Sequence, residues 1–561
     1  MTPEVLRQLV DGVTVLHVDS SSGWHSAFLV FRVGRFDETL PTSGITHLVE
    51  HLCFSGQGRP EYQFNAAVGG RFTTFFMESS APADVADFVA TVCQGLTEDH
   101  PERMEQEKGV LLTEAASRGG AGALGSCLIE RYGAVGPGLL GYAEFGLHKL
   151  TWEQIAAWRS HWFTAENAVL CIHGEIPANL RIDLPHGQIP EMPALLPMDV
   201  QLPAFTMTGQ DGGIGMSLIG GESPAFPVAL DILERRLTSE LRHDRGLSYS
   251  IQGATEYLDA NLRHAWLAAD ALPDNTDMAA HVMLDTFKEL ADSGCTSEEL
   301  AGARRRARDA YWSPAAPLHV MHRQAEQILF QQPPRDPSDS LRLIGEVTCG
   351  DVASAARGLH DQMIVATPHL LPAVQDLMPR LPMWSATAVK DGVSYQMQDS
   401  AATLTIGDKG VMITAEPGKF AAVHSNKVAA LVKWSDAKLT LIGTDGFTVL
   451  LDPADWDGAG DALRMLENRT DPDLVVTIDA PGPPGWRPAP RHPARAGAGG
   501  NAASRQPLVN DQMRVFFQVL WVCVIVGSLV LTSGNTTAGV TVIALAILGI
   551  LGGALVLNRR R

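Results

Sequence analysis

The sequence has few cysteines and no excess of positive charge. Its 7 cysteines are scattered, odd in number and never form a C-x-x-C pair, which excludes a dense disulfide scaffold and predicts a reducing compartment. The formal net charge is -20, so the basic surface of a general nucleic-acid binder is missing, and we expect no nucleic acid among the partners. The first ten residues carry Glu4 and Arg7 and lack the apolar core of a secretory signal. These absences predict a globular protein whose bulk stays in the cytoplasm.

One long stretch near the C-terminus contains no charge at all. Residues 515–557 lie between Arg514 and Arg559 and divide at a polar Thr-Ser-Gly-Asn-Thr-Thr segment. Each half is close to the ~20 residues that cross a bilayer, so the sequence predicts two transmembrane helices within 513–558. The alternative is a buried core hairpin, but neither half is amphipathic. Arginines at both ends predict a multi-pass cell-membrane protein with its catalytic domain on the cytoplasmic side.

The remaining chain divides into four regions. Residues 1–195 mix short β-branched strands with amphipathic helices, and residues 200–378 repeat that order, which indicates an internal duplication. Residues 385–478 predict a small β-rich module closed by one helix, for which a pleckstrin-homology-like module is one interpretation. Residues 481–512 are rich in Pro, Ala, Gly and Arg and predict a flexible linker. The expected fold class is therefore α+β, with two duplicated units, a β-rich module and a C-terminal two-helix transmembrane hairpin.

The chemistry of the chain is concentrated in the segment H-L-V-E-H. His47 and His51 are four residues apart on a predicted helix, so they share a face and can bind one metal ion through two ring nitrogens. Glu50 lies on the same side and can accept a proton from water that the metal activates. This order is the inverted form of the H-E-x-x-H zinc helix. Two histidines at this spacing also occur by chance on surface helices, which is the alternative.

A zinc site needs a third protein ligand, and the next long helix offers two candidates. Glu107 and Glu114 are seven residues apart on the helix predicted over 102–117. Two helical turns separate them, so they face the same way. One can bind the metal while the other supports a ligand from behind. A solvated acidic helix face is the alternative.

Two neighbouring segments together resemble a known family. G-R-F-D-E at 34–38 is followed by G-I-T-H-L-V-E-H-L-C-F-S-G at 44–56. This pattern is similar to that of the pitrilysin-type (M16, inverzincin) zinc metallopeptidases, which include processing-peptidase-like bacterial members. The resemblance covers roughly residues 1–375. It implies two of the family's α+β units and a hydrolase that acts on peptide bonds.

The resemblance also implies roles for individual residues. His47, His51 and Glu114 would bind one Zn²⁺ per chain. Glu107 would support the ligands, and Glu50 would be the general base. All these positions carry the residue type that the family pattern requires.

The second unit carries a separate match to the family. L-R-H-D-R-G-L-S-Y-S at 241–250 is similar to the family's L-R-x-x-x-G-L-x-Y-S segment. In active relatives this Arg and Tyr help to hold substrate and the oxyanion that develops during amide hydrolysis. Arg242 and Tyr249 are their counterparts here. Without the family they would be interpreted as a solvated helix end and a packed strand residue.

Two departures from the family pattern affect the site. His51 and Glu114 are 63 residues apart, about a dozen fewer than in most members, and the shortfall lies around 56–70. The family often has an Asn-Ala pair on the edge strand that binds the substrate backbone. Here Thr73 and Thr74 are the predicted substrate-binding residues, acting through strand addition.

Two functions fit these observations. The first is a zinc-dependent metalloendopeptidase that hydrolyses peptides while fixed to a membrane. Family members enclose substrate between two two-unit halves, and this chain has one such half, so a homodimer is expected. The second is a catalytically inactive, peptidase-like scaffold that organises a membrane complex, as the core subunits of the bc1 complex do. The full set of polar site residues favours the enzyme.

Overall fold

The structure is a computed structural model. It describes residues 4–20, 23–55, 61–118, 122–209, 213–398 and 400–483.

The first unit is built on a six-stranded sheet. Its strands are β1 (Leu6–Val10), β2 (Val13–Val18), β3 (His25–Phe31), β4 (Gln63–Val68), β5 (Thr73–Ser79) and β6 (Ala168–His173). Their order is β1-β2-β6-β3-β5-β4, and all neighbours are antiparallel except β2 and β6. Its helices are α1 (Ile45–Phe54), α2 (Ala83–Thr97), α3 (Met104–Arg118), α4 (Gly122–Tyr132) and α5 (Trp152–Trp162).

The second unit has a five-stranded sheet. Its strands are β7 (Ala204–Met207), β8 (Ile214–Gly221), β9 (Ile251–Tyr257), β10 (Leu262–Ala269) and β11 (Ile364–Thr367), in the order β7-β11-β8-β10-β9. Its helices are α6 (Ala225–Leu237), α7 (Thr276–Ser293), α8 (Ser297–Trp312), α9 (Ala316–Leu329), α10 (Pro337–Glu346), α11 (Cys349–Asp361) and α12 (Pro372–Gln375). A π-helix, Thr238–Asp244, continues α6.

Each unit covers the open face of the other unit's sheet. Helix α9 packs against the first sheet, where Met321 meets Val30 and Cys171. Helix α4 packs against the second sheet, where Cys127 meets Ile364. The inner strands of both sheets are therefore buried on two faces, which explains why β6 and β11 read as nearly continuous apolar runs. The two units form one body because a helix of each unit packs on the sheet of the other.

The third region contains two four-stranded sheets packed together. The strands are β12 (Val393–Gln396), β13 (Thr403–Gly407), β14 (Gly410–Glu416), β15 (Lys419–His424), β16 (Val428–Trp434), β17 (Leu439–Gly443), β18 (Thr448–Leu451) and β19 (Val475–Ile478), with α13 (Gly460–Arg469) before the last strand. The sheet orders are β12-β13-β14-β15 and β18-β17-β16-β19. We call this region the β module. Strand β19 follows the helix α13 and pairs parallel to β16. The pleckstrin-homology-like interpretation stays a prediction.

The predicted fold class is wrong in its transmembrane hairpin. The structure is a mixed α and β fold, and no helix in its described part is long and apolar enough to cross a membrane. Helix α7, for example, is amphipathic, because one face packs on the second sheet and the other meets solvent. Residues 513–558, to which the hairpin was assigned, lie outside the described residues. The predicted location on the cytoplasmic side of a cell membrane stays a prediction.

Candidate metal centre

Helix α1 is held at its start by a buried carboxylate. Gly44 precedes the helix in a left-handed conformation (φ 88°). Glu38 accepts hydrogen bonds from the Gly44 N–H at 2.9 Å and the Thr46 N–H at 3.0 Å. These are donors that a helix N-terminus leaves without an intrahelical partner. Burial raises the pKa of Glu38 to about 7, although both hydrogen bonds oppose that shift.

The histidines and Glu50 converge on one point beside α1. Ligand atoms of His47, Glu50 and His51 lie within 4.8 Å of one another. The two imidazole rings are nearly perpendicular (89°), with centroids 5.1 Å apart. Glu50 Oε2 lies 3.8 Å from His47 Nε2 and 3.9 Å from His51 Nε2. The apolar residues of α1 face the core instead, since Leu48 is fully buried there.

Glu114 of α3 completes the set of donors. Its Oε2 lies 3.7 Å from the Nε2 atoms of both His47 and His51. Ligands at the usual zinc distances of about 2.0–2.1 Å are separated by roughly 3.3–3.5 Å in a tetrahedron. Two imidazoles and one carboxylate at this spacing therefore fit a zinc ion that keeps a fourth position open for water.

A carboxylate lies behind each histidine. Glu107 Oε2 is 3.3 Å from His51 Nδ1, and the Ser55 hydroxyl donates to Glu107 Oε1 at 3.0 Å. Glu144 Oε1 is 3.2 Å from His47 Nδ1. A carboxylate that accepts the Nδ1–H fixes the tautomer in which Nε2 is free to bind a metal. Both rings are therefore oriented for coordination through Nε2.

Glu144 did not emerge from the sequence. It lies between two 3-10 helices, Gly136–Gly141 and Phe145–His148, 97 residues from His47. Its side chain is buried. A Cβ at position 44 would lie 3.0 Å from the Glu144 Cβ, so Gly44 lets this segment approach α1. No spacing rule on one helix could have identified this contact.

Arg242 and Tyr249 lie beside each other on the second unit. The Arg242 guanidinium stacks on the Tyr249 ring, 5.1 Å from its centroid. Tyr249 is 75% exposed, and its backbone N–H donates to Asp270 at 2.9 Å. The Arg–Tyr pair is thus assembled and open to solvent. Its described contacts are with the second unit and not with α1.

The edge of the first sheet differs from the sequence-based expectation. Thr73 and Thr74 lie on β5, between β3 and β4, and the Thr73 hydroxyl is buried and donates to Val33 O. Strand β4 is the edge strand next to β5, and Asn65-Ala66 lies on it. An Asn-Ala pair is therefore present on this edge strand, and the prediction of Thr73 and Thr74 as substrate-binding residues missed it. A peptide added as a strand at this edge would pair with β4.

Comparisons with known proteins agree with this architecture. No protein-family profile matches the chain. The chain is 26% identical over 254 residues to the chloroplastic stromal processing peptidase of Oryza sativa subsp. indica, a match that covers 40% of this chain. It spans only about a fifth (20%) of that relative's length.

Solved structures cover more of the chain. A protease from Helicobacter pylori superposes with a TM-score of 0.57 at 16% identity, covering 65% of this chain and 99% of the other. An inactive M16 peptidase domain from Pseudomonas fluorescens superposes with a TM-score of 0.56 at 17% identity, covering 66% of this chain and 99% of the other. The resemblance to the M16 peptidases is therefore confirmed as one of fold.

Proposed function

We propose that this chain is a zinc-dependent endopeptidase. The observation that carries the proposal is the convergence of His47, His51 and Glu114 around one point that Glu50 also faces. The carboxylates behind both imidazoles support the same function, because they hold each ring with Nε2 directed at that point.

Each residue has a distinct task in the proposed reaction. A bound zinc ion supplies Lewis-acid activation of water near neutral pH. Glu50 accepts the proton of the attacking water as the C–O bond forms, and it returns a proton to the amide nitrogen as the C–N bond breaks. The buried carboxylate is in position for both transfers, since its Oε2 lies within 4 Å of both Nε2 atoms.

An extended peptide would bind along β4. This strand lies beside α1, where the Phe64 and Phe54 ring centroids are 4.7 Å apart. Main-chain hydrogen bonds to an edge strand give affinity with little demand on side chains. Gln63, Asn65 and Ala67 are the exposed side chains of this strand.

The catalytic test compares Glu50→Gln with a surface control. We expect the purified chain to hold about one zinc per chain and to cleave a quenched fluorogenic peptide library. Glu50→Gln should keep the zinc and lose about 10²–10⁴-fold in rate, since general-base catalysis has that magnitude. Glu153→Gln changes an exposed carboxylate of α5 and should match the wild type. Bound zinc without Glu50-dependent cleavage would favour the alternative, an inactive peptidase-like scaffold, whose fold is represented by the inactive M16 domain from Pseudomonas fluorescens.

We also propose a homodimer in which one copy supplies Arg242 and Tyr249 to the metal site of the other. The exposed, assembled Arg–Tyr pair supports this arrangement. A mixture of equal amounts of Glu50→Gln and Arg242→Ala chains then forms hybrid dimers with one intact site. It should recover about a quarter of wild-type activity if subunits pair at random in a two-fold dimer. A mixture as inactive as its components would contradict action across the dimer.

A further inference from the structure

The β module is docked on the part of the first unit that surrounds the metal helix. Strand β19 contacts the 3-10 helix Phe145–His148, and β16 contacts the 3-10 helix Leu40–Thr42. An apolar cluster fills this contact. Its main members are Leu40, Leu139 and Phe145 from the first unit and Val432, Ile442 and Val476 from the β module.

Hydrogen bonds fix both ends of the docked segment. The Ala134 N–H donates to Thr444 O at 3.0 Å. At the other end, Lys149 Nζ donates to Pro472 O at 3.1 Å and to Asp473 O at 2.8 Å. The segment 134–149 is therefore attached to the β module before and after Glu144.

Two carboxylates that hold α1 lie next to these contacts. Glu144, which faces His47 Nδ1, immediately precedes Phe145. Glu38, which accepts from the first N–H groups of α1, lies two residues before Leu40. Between α4 and α5, the described segment forms only short 3-10 helices. Such turns have poor hydrogen-bond geometry and depend on packing for their position.

We propose that the β module is a positioning element for the metal site. It holds the 134–149 segment so that Glu144 keeps His47 oriented, and it holds Leu40 so that Glu38 stays at the start of α1. Glu144 is a positioning residue in this scheme, because it acts on the metal only through His47. The inference rests on the proposed zinc site and gives the β module a role in forming it. Ligand-holding groups need to stay within roughly 0.5 Å of their productive positions, so a loosened segment weakens metal binding before it unfolds the unit.

The experiment measures zinc affinity of the full chain by competition with a chromophoric chelator. Val432→Asp places a charge in the buried contact with the first unit, since Val432 is 0% exposed. It should weaken zinc binding by about 10- to 100-fold, the usual effect of losing a group that supports a metal ligand. Val393→Asp is the matched control, because Val393 is 61% exposed on another strand of the same module. This variant should bind zinc as the wild type does.

A double variant separates positioning from general damage. Glu144→Gln should weaken zinc binding to a similar extent, and adding Val432→Asp to it should cause less further loss than Val432→Asp causes in the wild type, because the two changes share the contact with His47. Independent losses that multiply in the double variant would overturn the proposal. Unchanged zinc affinity in Val432→Asp would also overturn the proposal, if hydrogen exchange shows that β19 no longer packs on the first unit.

A milder change keeps the test decisive if Val432→Asp does not fold. Lys149→Met removes the two hydrogen bonds to Pro472 and Asp473 and the attraction of the ammonium group to Asp471 and Asp473, and it should weaken zinc binding by about 3- to 10-fold. No change in zinc affinity would then contradict the proposal. If the wild type binds no zinc, the proposed function itself fails. If the wild type binds zinc tightly and these variants do too, only the role of the β module fails.

Discussion

Replacing Glu38 by glutamine is expected to loosen the start of the metal-binding helix. The carboxylate is 5% exposed and accepts from the N–H groups of both Gly44 and Thr46. Glutamine has one acceptor oxygen, and its NH₂ group would face the other N–H donor. A buried donor left without an acceptor costs about 1–3 kcal/mol. Local opening of α1 should therefore become roughly 5- to 150-fold more frequent.

Hydrogen–deuterium exchange of the peptide that contains α1 measures this opening directly. The peptide that contains α7 lies in the second unit and serves as an internal reference, which should not change. Glu153→Gln is the control for a loss of carboxylate charge at the surface. Equal protection of α1 in Glu38→Gln and the wild type would refute the role of Glu38 in holding the helix.

The same pair of proteins tests the effect of pH. Burial raises the pKa of Glu38 from 4.5 to about 7 in the folded chain. A carboxyl whose folded pKa is raised contributes stability that is fully present below pH 4.5 and is lost as the pH rises through about 7. The loss is about 3 kcal/mol at most. Protection of α1 in the wild type, relative to Glu38→Gln, should thus decline from about pH 5 to about pH 8. An increase over that range would mean that the two N–H bonds to the ionised carboxylate outweigh its burial.

Two further predictions concern other groups. Glu107→Gln should weaken zinc binding by about 10- to 100-fold, because the carboxylate that accepts from His51 is lost. Ser55→Ala should weaken zinc binding less. If chelator competition gives Glu107→Gln the zinc affinity of the wild type, Glu107 does not support His51. The sulfurs of Cys295 and Cys349 lie 3.0 Å apart, so oxidised glutathione is expected to join them by thiol–disulfide exchange and release two molecules of reduced glutathione. Burial raises the pKa of the Cys295 thiol, so the reaction should be slow at neutral pH, and an unchanged intact mass after exchange at alkaline pH would rule it out.

Short-range patterns predicted much of the two units. The helix expected over 102–117 is α3 at Met104–Arg118, because apolar residues at helical spacing define a buried face regardless of distant contacts. The shared face of His47 and His51 followed in the same way from four-residue spacing. The edge strand was harder, since Gln63–Val68 contains two amides and two alanines and has weak strand propensity.

The sequence by itself determined the inverted zinc motif and its location on one helix, because those features depend on residues within a few positions of each other. The resemblance of these local motifs to a known family implied the M16-like fold, which the solved structures confirm. Only the tertiary structure decided what holds that motif in place. Glu144 reaches His47 across 97 residues of sequence, and the β module contacts the segment that carries it. Such contacts depend on how whole sheets and units pack, and no local periodicity encodes them.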